Sequence, residues 1–305
     1  MSSASVAAPE KKGITDRARS ERKTAWLLCA PAVTVMLLVT GYPILYAVYL
    51  SLRKEDLRFP GQSSFVGLAN YSDVLTSSTW WSDVFNTLVI TVCSVAIELV
   101  LGMLIALVMH RAIFGRGAVR TAVLIPYGIV TVVAAFTWLY AFQKTSGFVP
   151  QWLGLQTDPF ASRAGSFLVI ILTEVWKTTP FMALLLLAGL SLVPDELLEA
   201  ARVDGASAWQ RFWRITVPLI RPAILVALLF RTLDAFRVFD TVFIQTRGAN
   251  GTETVSILGY NELITRLNLG VGSAVSVLIF LCVIIIAVIF VKGLGASTAQ
   301  QRGET

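Results

Sequence analysis

Residues 24–52 hold no charged side chain, an uninterrupted run of 29. A membrane helix needs about 20 mainly apolar residues, because each rises ~1.5 Å through a core of about 30 Å. Five more stretches meet that demand. Residues 84–109 hold only Glu98, 121–143 hold no charge, and 167–193 hold Glu174 and Lys177. Residues 222–246 hold Arg231, Asp234, Arg237 and Asp240, and 267–291 hold none. The spacing predicts an all-α polytopic membrane protein with six transmembrane helices. Composition agrees: 55% of residues are hydrophobic and 14% charged, where a soluble domain carries about 25% charged. A soluble globular fold, a disulfide scaffold and a nucleic-acid binder are excluded. The first run exceeds the roughly 7–15 apolar residues of a signal peptide, so it reads as an uncleaved anchor helix.

Orientation follows from Lys and Arg, which concentrate on the cytoplasmic side. One side carries fifteen: six in the tail 1–23, three in the loop 110–120, four in 194–221, plus Lys292 and Arg302. The other side carries seven. Both termini are therefore predicted to be cytoplasmic, with tails 1–23 and 295–305 flanking a transmembrane domain over 24–294. The chain reads as a multi-pass membrane protein. The net charge of +6 is largely this asymmetry and implies no nucleic-acid partner. Trp26, Trp80, Trp81, Tyr140 and Trp152 lie near span ends, where amphipathic rings collect. The turn-rich outer loop 53–83 is suited to a cap or a partner contact. Cys29, Cys93 and Cys282 lie in apolar stretches and read as small buried hydrophobes. A single histidine, His110, excludes a His-rich metal site. No Walker-type phosphate loop occurs, so the chain has no nucleotide site of that kind.

The segment 194–218 differs from an ordinary connector. Pro194, Asp195 and Glu196 make a helix start, since proline and acids suit a first turn. Gly205 stops that helix, and Ser207 caps a second short one. Pro218 and Pro222 bracket entry into the fifth span. Within this segment stand Glu199-Ala200-Ala201, three residues, Gly205, nine residues, Ile215, one residue, then Val217-Pro218. This spacing resembles the EAA loop of ABC importer permeases, with Val217 in place of the usual Leu. Trp176-Lys177, Pro180-Phe181, Ala188-Gly189-Leu190 and Asp204-Gly205-Ala206-Ser207 are similar to the carbohydrate (maltose and glycerol-phosphate-like) branch. Tyr127–Val133 and Ser256–Tyr260 resemble permeases of trehalose importers.

The resemblance, over about residues 25–294, implies a type I ABC importer permease fold and no catalysis by this chain. It implies a coupling helix formed by Glu199, Ala200, Ala201, Asp204, Gly205, Ile215 and Pro218, seated in a cytoplasmic ATPase. It implies a homologous second permease, two copies of the ATPase subunit and an extracytoplasmic solute-binding lipoprotein. It also implies ATP and Mg bound by the ATPase partners, no cofactor on this chain, and a disaccharide cargo, trehalose, carried by alternating access.

Charges inside the bilayer need partners or a wet cavity, because each costs about 2.5–3.5 kcal/mol near the centre. Arg231, Asp234, Arg237 and Asp240 alternate in sign at intervals of three, and i,i+3 neighbours touch on a helix. On a straight helix from residue 222, Arg231 lies ~13 Å deep and Asp240 ~27 Å. Glu174 and Lys177 repeat the spacing on the fourth span. Glu98 has no charged neighbour on its own helix, so it meets a base on another helix or is protonated. Trp176, Phe236, Phe181 and Phe239 are available to stack on a sugar. These residues read either as a translocation pathway or as an intramembrane ion-pair ladder. A different class, a proton-coupled secondary transporter relaying through Glu98, Glu174 or Asp234, uses the same carboxylates.

Overall fold

The computed structural model describes residues 16–111 and 116–301. Residues 112–115 of the basic loop 110–120 and the ends of both tails, with Lys11, Lys12 and Arg302, lie outside the described residues. The chain divides into two compact units between Tyr49 and Leu50.

The described part of the first unit is helical. Helix α1 (Asp16–Met36) passes through a π-turn, Leu37–Gly41, into α2 (Tyr42–Ser51). Pro43 would clash with the carbonyl of Val39 in α-helical register, and the wider π-turn lies where that clash would fall. Thr24–Ser51 is long and apolar enough to cross a membrane. Leu27, Leu28, Leu38 and Leu45 are exposed. Tyr42, Tyr46 and Tyr49 stack with ring centroids 6.1 and 6.3 Å apart.

The second unit opens with a small hairpin. Strand β1 (Arg53–Lys54) pairs antiparallel with β2 (Ser64–Phe65), Arg53 opposite Phe65. The Arg58 guanidinium grips the Asp56 carboxylate, Nε to Oδ1 at 2.9 Å and Nη2 to Oδ2 at 2.6 Å. Chiefly through that hydrogen bond, the Asp56 carboxyl is held at about 2. The loop 53–83 then forms α3 (Ala69–Thr76), whose Asn70 amide donates to the carbonyls of Ser51 and Arg53, both at 2.8 Å.

Two long helices make the frame: α4 (Ser78–Arg111) and α8 (Arg163–Leu190), the most extensively packed pair. Gly102 allows their close approach, since a Cβ there would stand 2.8 Å from Met182 Cγ. Met109, Met182, Leu186 and Ile220 are fully buried in the core they share with the helices following the 194–218 loop. Pro180 is carried inside α8. Nearby, Thr178 and Thr179 hydroxyls donate to the carbonyls of Glu174 and Val175, both at 2.6 Å.

Between them, α5 (Arg116–Gly128) and α6 (Thr131–Phe142) follow one another with a bend of 93°. The single straight span expected over 121–143 is therefore a broken pair, interrupted beside Pro126 and Gly128. A short α7 (Phe148–Leu153) leads to the Ser162 cap of α8, where Ser162 Oγ accepts from Gly165 N at 3.1 Å.

The 194–218 segment and the residue after it supply α9 (Asp195–Val203), α10 (Ala208–Arg211), a π-turn at Phe212–Thr216 and α11 (Val217–Leu219). The chain bends by 69° on entering the next segment. There α12 (Arg221–Ala235) and α13 (Asp240–Gln245) are separated by four residues. The continuous helix expected over 222–246 does not form, so the depth assigned to Asp240 does not hold. Helix α14 (Val255–Tyr260) and the long α15 (Leu269–Gln301) complete the unit.

Among the described residues, four helices are long and apolar enough to cross a membrane, or six if each bent pair is one span. Cys29 and Cys93 are exposed rather than buried.

Candidate functional site

The 194–218 segment folds from its own local chemistry. Helix α9 starts at Pro194 with Asp195 and Glu196 in its first turn and ends on Arg202 in its last, charges that suit the helix dipole. Gly205 has φ +81°, a left-handed conformation that costs other L-residues about 1–2 kcal/mol. Ala206 N then returns to Ala201 O at 2.9 Å, closing the helix end. Ser207 and Gln210 form a reciprocal capping box, with Ser207 N donating to Gln210 Oε1 at 2.8 Å. Arg211 Nη1 donates to Ala206 O at 2.9 Å.

No residue of α9 is buried. Glu199, Ala200, Asp204, Gly205 and Pro218 are exposed, while Ala201 and Ile215 are half-buried. Val203 is 88% exposed and Trp209 71%. A cavity of about 800 Å3 lies beside α9, lined by His110, Leu190, Leu198, Glu199, Arg202 and Phe212.

A second cluster gathers around Arg231, which is 1% exposed. Its guanidinium meets Glu98 of α4 through two bonds, Nε to Oε2 at 2.5 Å and Nη2 to Oε1 at 3.0 Å. Nη2 also donates to Glu174 Oε2 of α8 at 3.1 Å, and Nη1 to Asp234 Oδ2 at 2.5 Å. Thr241 of α13 donates to Glu174 Oε1 at 2.5 Å. One cation thus joins three carboxylates on three helices. Removing water from such charges is costly, and the pairing offsets that cost only with bonds of this quality.

The alternating ladder forms only at its first rung. Arg231 and Asp234 pair within α12, but the helix ends at Ala235, so the i,i+3 geometry does not extend to Arg237 and Asp240. Arg237 Nε donates instead to Leu233 O at 3.3 Å. Lys177 does not pair with Glu174; its ammonium stands over the Tyr127 ring, 5.7 Å from the centroid. Lys177, Asp234, Arg237 and Asp240 converge with Glu174 and Thr241 on a cavity of about 180 Å3. A cavity of about 410 Å3 shares Thr178, Asp234 and Arg237 and adds Tyr127, Phe181 and Phe230. Phe181 stacks on Tyr127 at 5.6 Å, and Trp176 leans on Trp138 at 5.9 Å. Phe236 lines neither cavity; it is 3% exposed in an apolar cluster with Trp80, Val255 and Leu258.

Residues 98–299 match the family described as the binding-protein-dependent transport system inner membrane component. The chain belongs to this family. It is therefore a permease, the non-catalytic membrane part of an ABC importer. The permease is 54% identical over 278 residues to the trehalose transport system permease protein SugA of Mycobacterium tuberculosis, covering 91% of each chain. It is 38% identical over 278 residues to the trehalose/maltose transport system permease protein MalF of Thermococcus litoralis, covering 89% of this chain and 94% of that one. A chain of a bacterial ABC transporter involved in the import of the acidic polysaccharide alginate superposes with a TM-score of 0.75. It is 23% identical, with 93% of this chain and 99% of that one covered, a likeness of fold.

Two residues at the permease's inner cluster escape sequence reasoning as partners: Thr241, which holds Glu174, and Tyr127, which faces Lys177. The only sequence signal for Thr241 is its position beside Asp240. Tyr127 has a sharper one, a ring next to Pro126 in a run without charges.

Proposed function

We propose that this permease imports trehalose as one half of an ATP-driven carrier. The observation that carries the reading is the 54% identity, over 91% of each chain, with a trehalose permease. In this reading six spans place both termini in the cytoplasm, with each bent pair counted as one span; the excess of Lys and Arg on that side supports it. A homologous second permease forms the other half of the pathway. Two ATPase subunits, which bind ATP and Mg, receive the exposed helix α9, and an extracytoplasmic lipoprotein delivers the sugar.

The polar cavity bounded by Lys177, Asp234, Arg237 and Asp240 is the part of the pathway offered by this chain. Carboxylates and guanidinium groups hydrogen-bond sugar hydroxyls, and Tyr127 and Phe181 present ring faces to a pyranose. A proton relay is less well supported, because Glu98 and Glu174 are both held by Arg231.

The deciding experiment is uptake of labelled trehalose in cells lacking the gene, with and without a restored copy, and with maltose as competitor. Uptake lost on deletion, restored by the copy and competed only by trehalose is the expected result; unchanged uptake overturns the cargo. For the pathway, Lys177→Met and Asp234→Asn are each expected to lower uptake while leaving membrane abundance unchanged. A fall in abundance alone makes these residues structural.

A further inference from the structure

The fifth membrane segment is broken, and the break falls between two functional regions. Helix α12 continues from the loop that carries the exposed helix α9. Helix α13 leads away to the 246–254 turn. The four residues between them belong to neither helix: Phe236 keeps helical dihedrals, φ −64° and ψ −23°, but Phe239 has left them, at φ −133° and ψ −62°. A helix transmits displacement because its backbone bonds are continuous, whereas a short non-helical joint is free to flex about its dihedrals.

Glu174 spans that joint with its two oxygens. Oε2 accepts from Arg231 of α12 at 3.1 Å, and Oε1 accepts from Thr241 of α13 at 2.5 Å. Glu174 and Thr241 are both buried. Helix α13 has a second tether to α8, Gln245 Nε2 to Thr173 Oγ1 at 2.8 Å, but that bond does not reach α12.

We propose that Glu174 is a positioning residue that makes the two halves of the broken helix move together. A displacement entering through α12 reaches α13 by way of Arg231, the Glu174 carboxylate and the Thr241 hydroxyl. This rests on the permease reading, and it assigns a role to residues on which a sugar need not touch.

The test uses the whole carrier reconstituted in vesicles, measuring sugar imported per ATP hydrolysed. Thr241→Val keeps the side-chain shape and removes the donor. It is expected to cut the ratio about fivefold or more while ATP hydrolysis continues, and Thr241→Ser is expected to restore it. Gln245→Leu removes the other tether; it is expected to lower thermal stability and leave the ratio unchanged. If Thr241→Val does not assemble, Thr241→Ala is read in its place. An unchanged ratio overturns the proposal. So does an equal fall in Gln245→Leu, because loosening α13 in any way would then suffice. ATP-dependent uptake by the wild-type carrier in the same vesicles tests the permease reading separately.

Discussion

Arg231→Met is expected to strip the protein from the membrane fraction. The substitution leaves Glu98 and Glu174 side by side in a dry core, at 0% and 7% exposure, without their cation. Breaking a buried ion pair by removing one partner costs about 3–5 kcal/mol, a large share of the total stability of a domain. Arg231→Lys is expected to fail as well, because one ammonium cannot reproduce the two-bond fork on Glu98 together with the bonds to Glu174 and Asp234. The compensating variant, Arg231→Met with Glu98→Gln and Glu174→Gln, removes the uncompensated charges and is expected to recover abundance. Membrane abundance and the thermal midpoint in detergent are the measurements. Wild-type values for Arg231→Met alone would show that the cluster carries little of the fold.

Gly205→Asp is expected to do the opposite: normal abundance with uptake lost. No atom lies within 4 Å of a Cβ built at Gly205, so the fold accepts a side chain there in space. The positive φ adds about 1–2 kcal/mol of local strain, and aspartate tolerates that region better than most residues. In the proposed coupling role of α9, the damage falls on docking. A carboxylate appears beside Asp204 on an exposed turn, and docking would take this extra charge out of water without a partner, at a cost of several kcal/mol. Uptake is expected to fall by about two orders of magnitude or more, since each 1.4 kcal/mol is tenfold. Gly205→Ala carries the strain without the charge and is expected to keep much of the uptake. Normal transport by Gly205→Asp would remove α9 from the role of coupling helix.

The parts of the fold legible in the sequence are those set by solvent and by local chemistry. A bilayer accepts only long apolar helices, so the uncharged runs mark where membrane helices lie. Pro194, Gly205 and Ser207 act within a few residues of themselves, so the helix–turn–helix could be placed from them. The breaks were harder. Residues 232–243 contain neither Pro nor Gly, and α12 ends where Phe236 turns into a cluster built by distant residues. That is a tertiary cause with no local mark. At 121–143 the marks were present in Pro126 and Gly128, but hydropathy counts apolar residues and is blind to direction. Arg231 shows the same limit: its neighbour Asp234 was readable from spacing, whereas Glu98 stands 133 positions away. An unpaired carboxylate on one helix and a surplus base on another were visible, but not that they meet.

The capped turn at Gly205 has a thermodynamic consequence. Segments that order only on meeting a partner lose much of their contact energy to that ordering. Here the Ser207–Gln210 box and the closed end of α9 fix the conformation while the chain folds. Rigid recognition elements keep more of their contact energy as affinity. A short helix with no buried residue can therefore hold a partner with a small contact area.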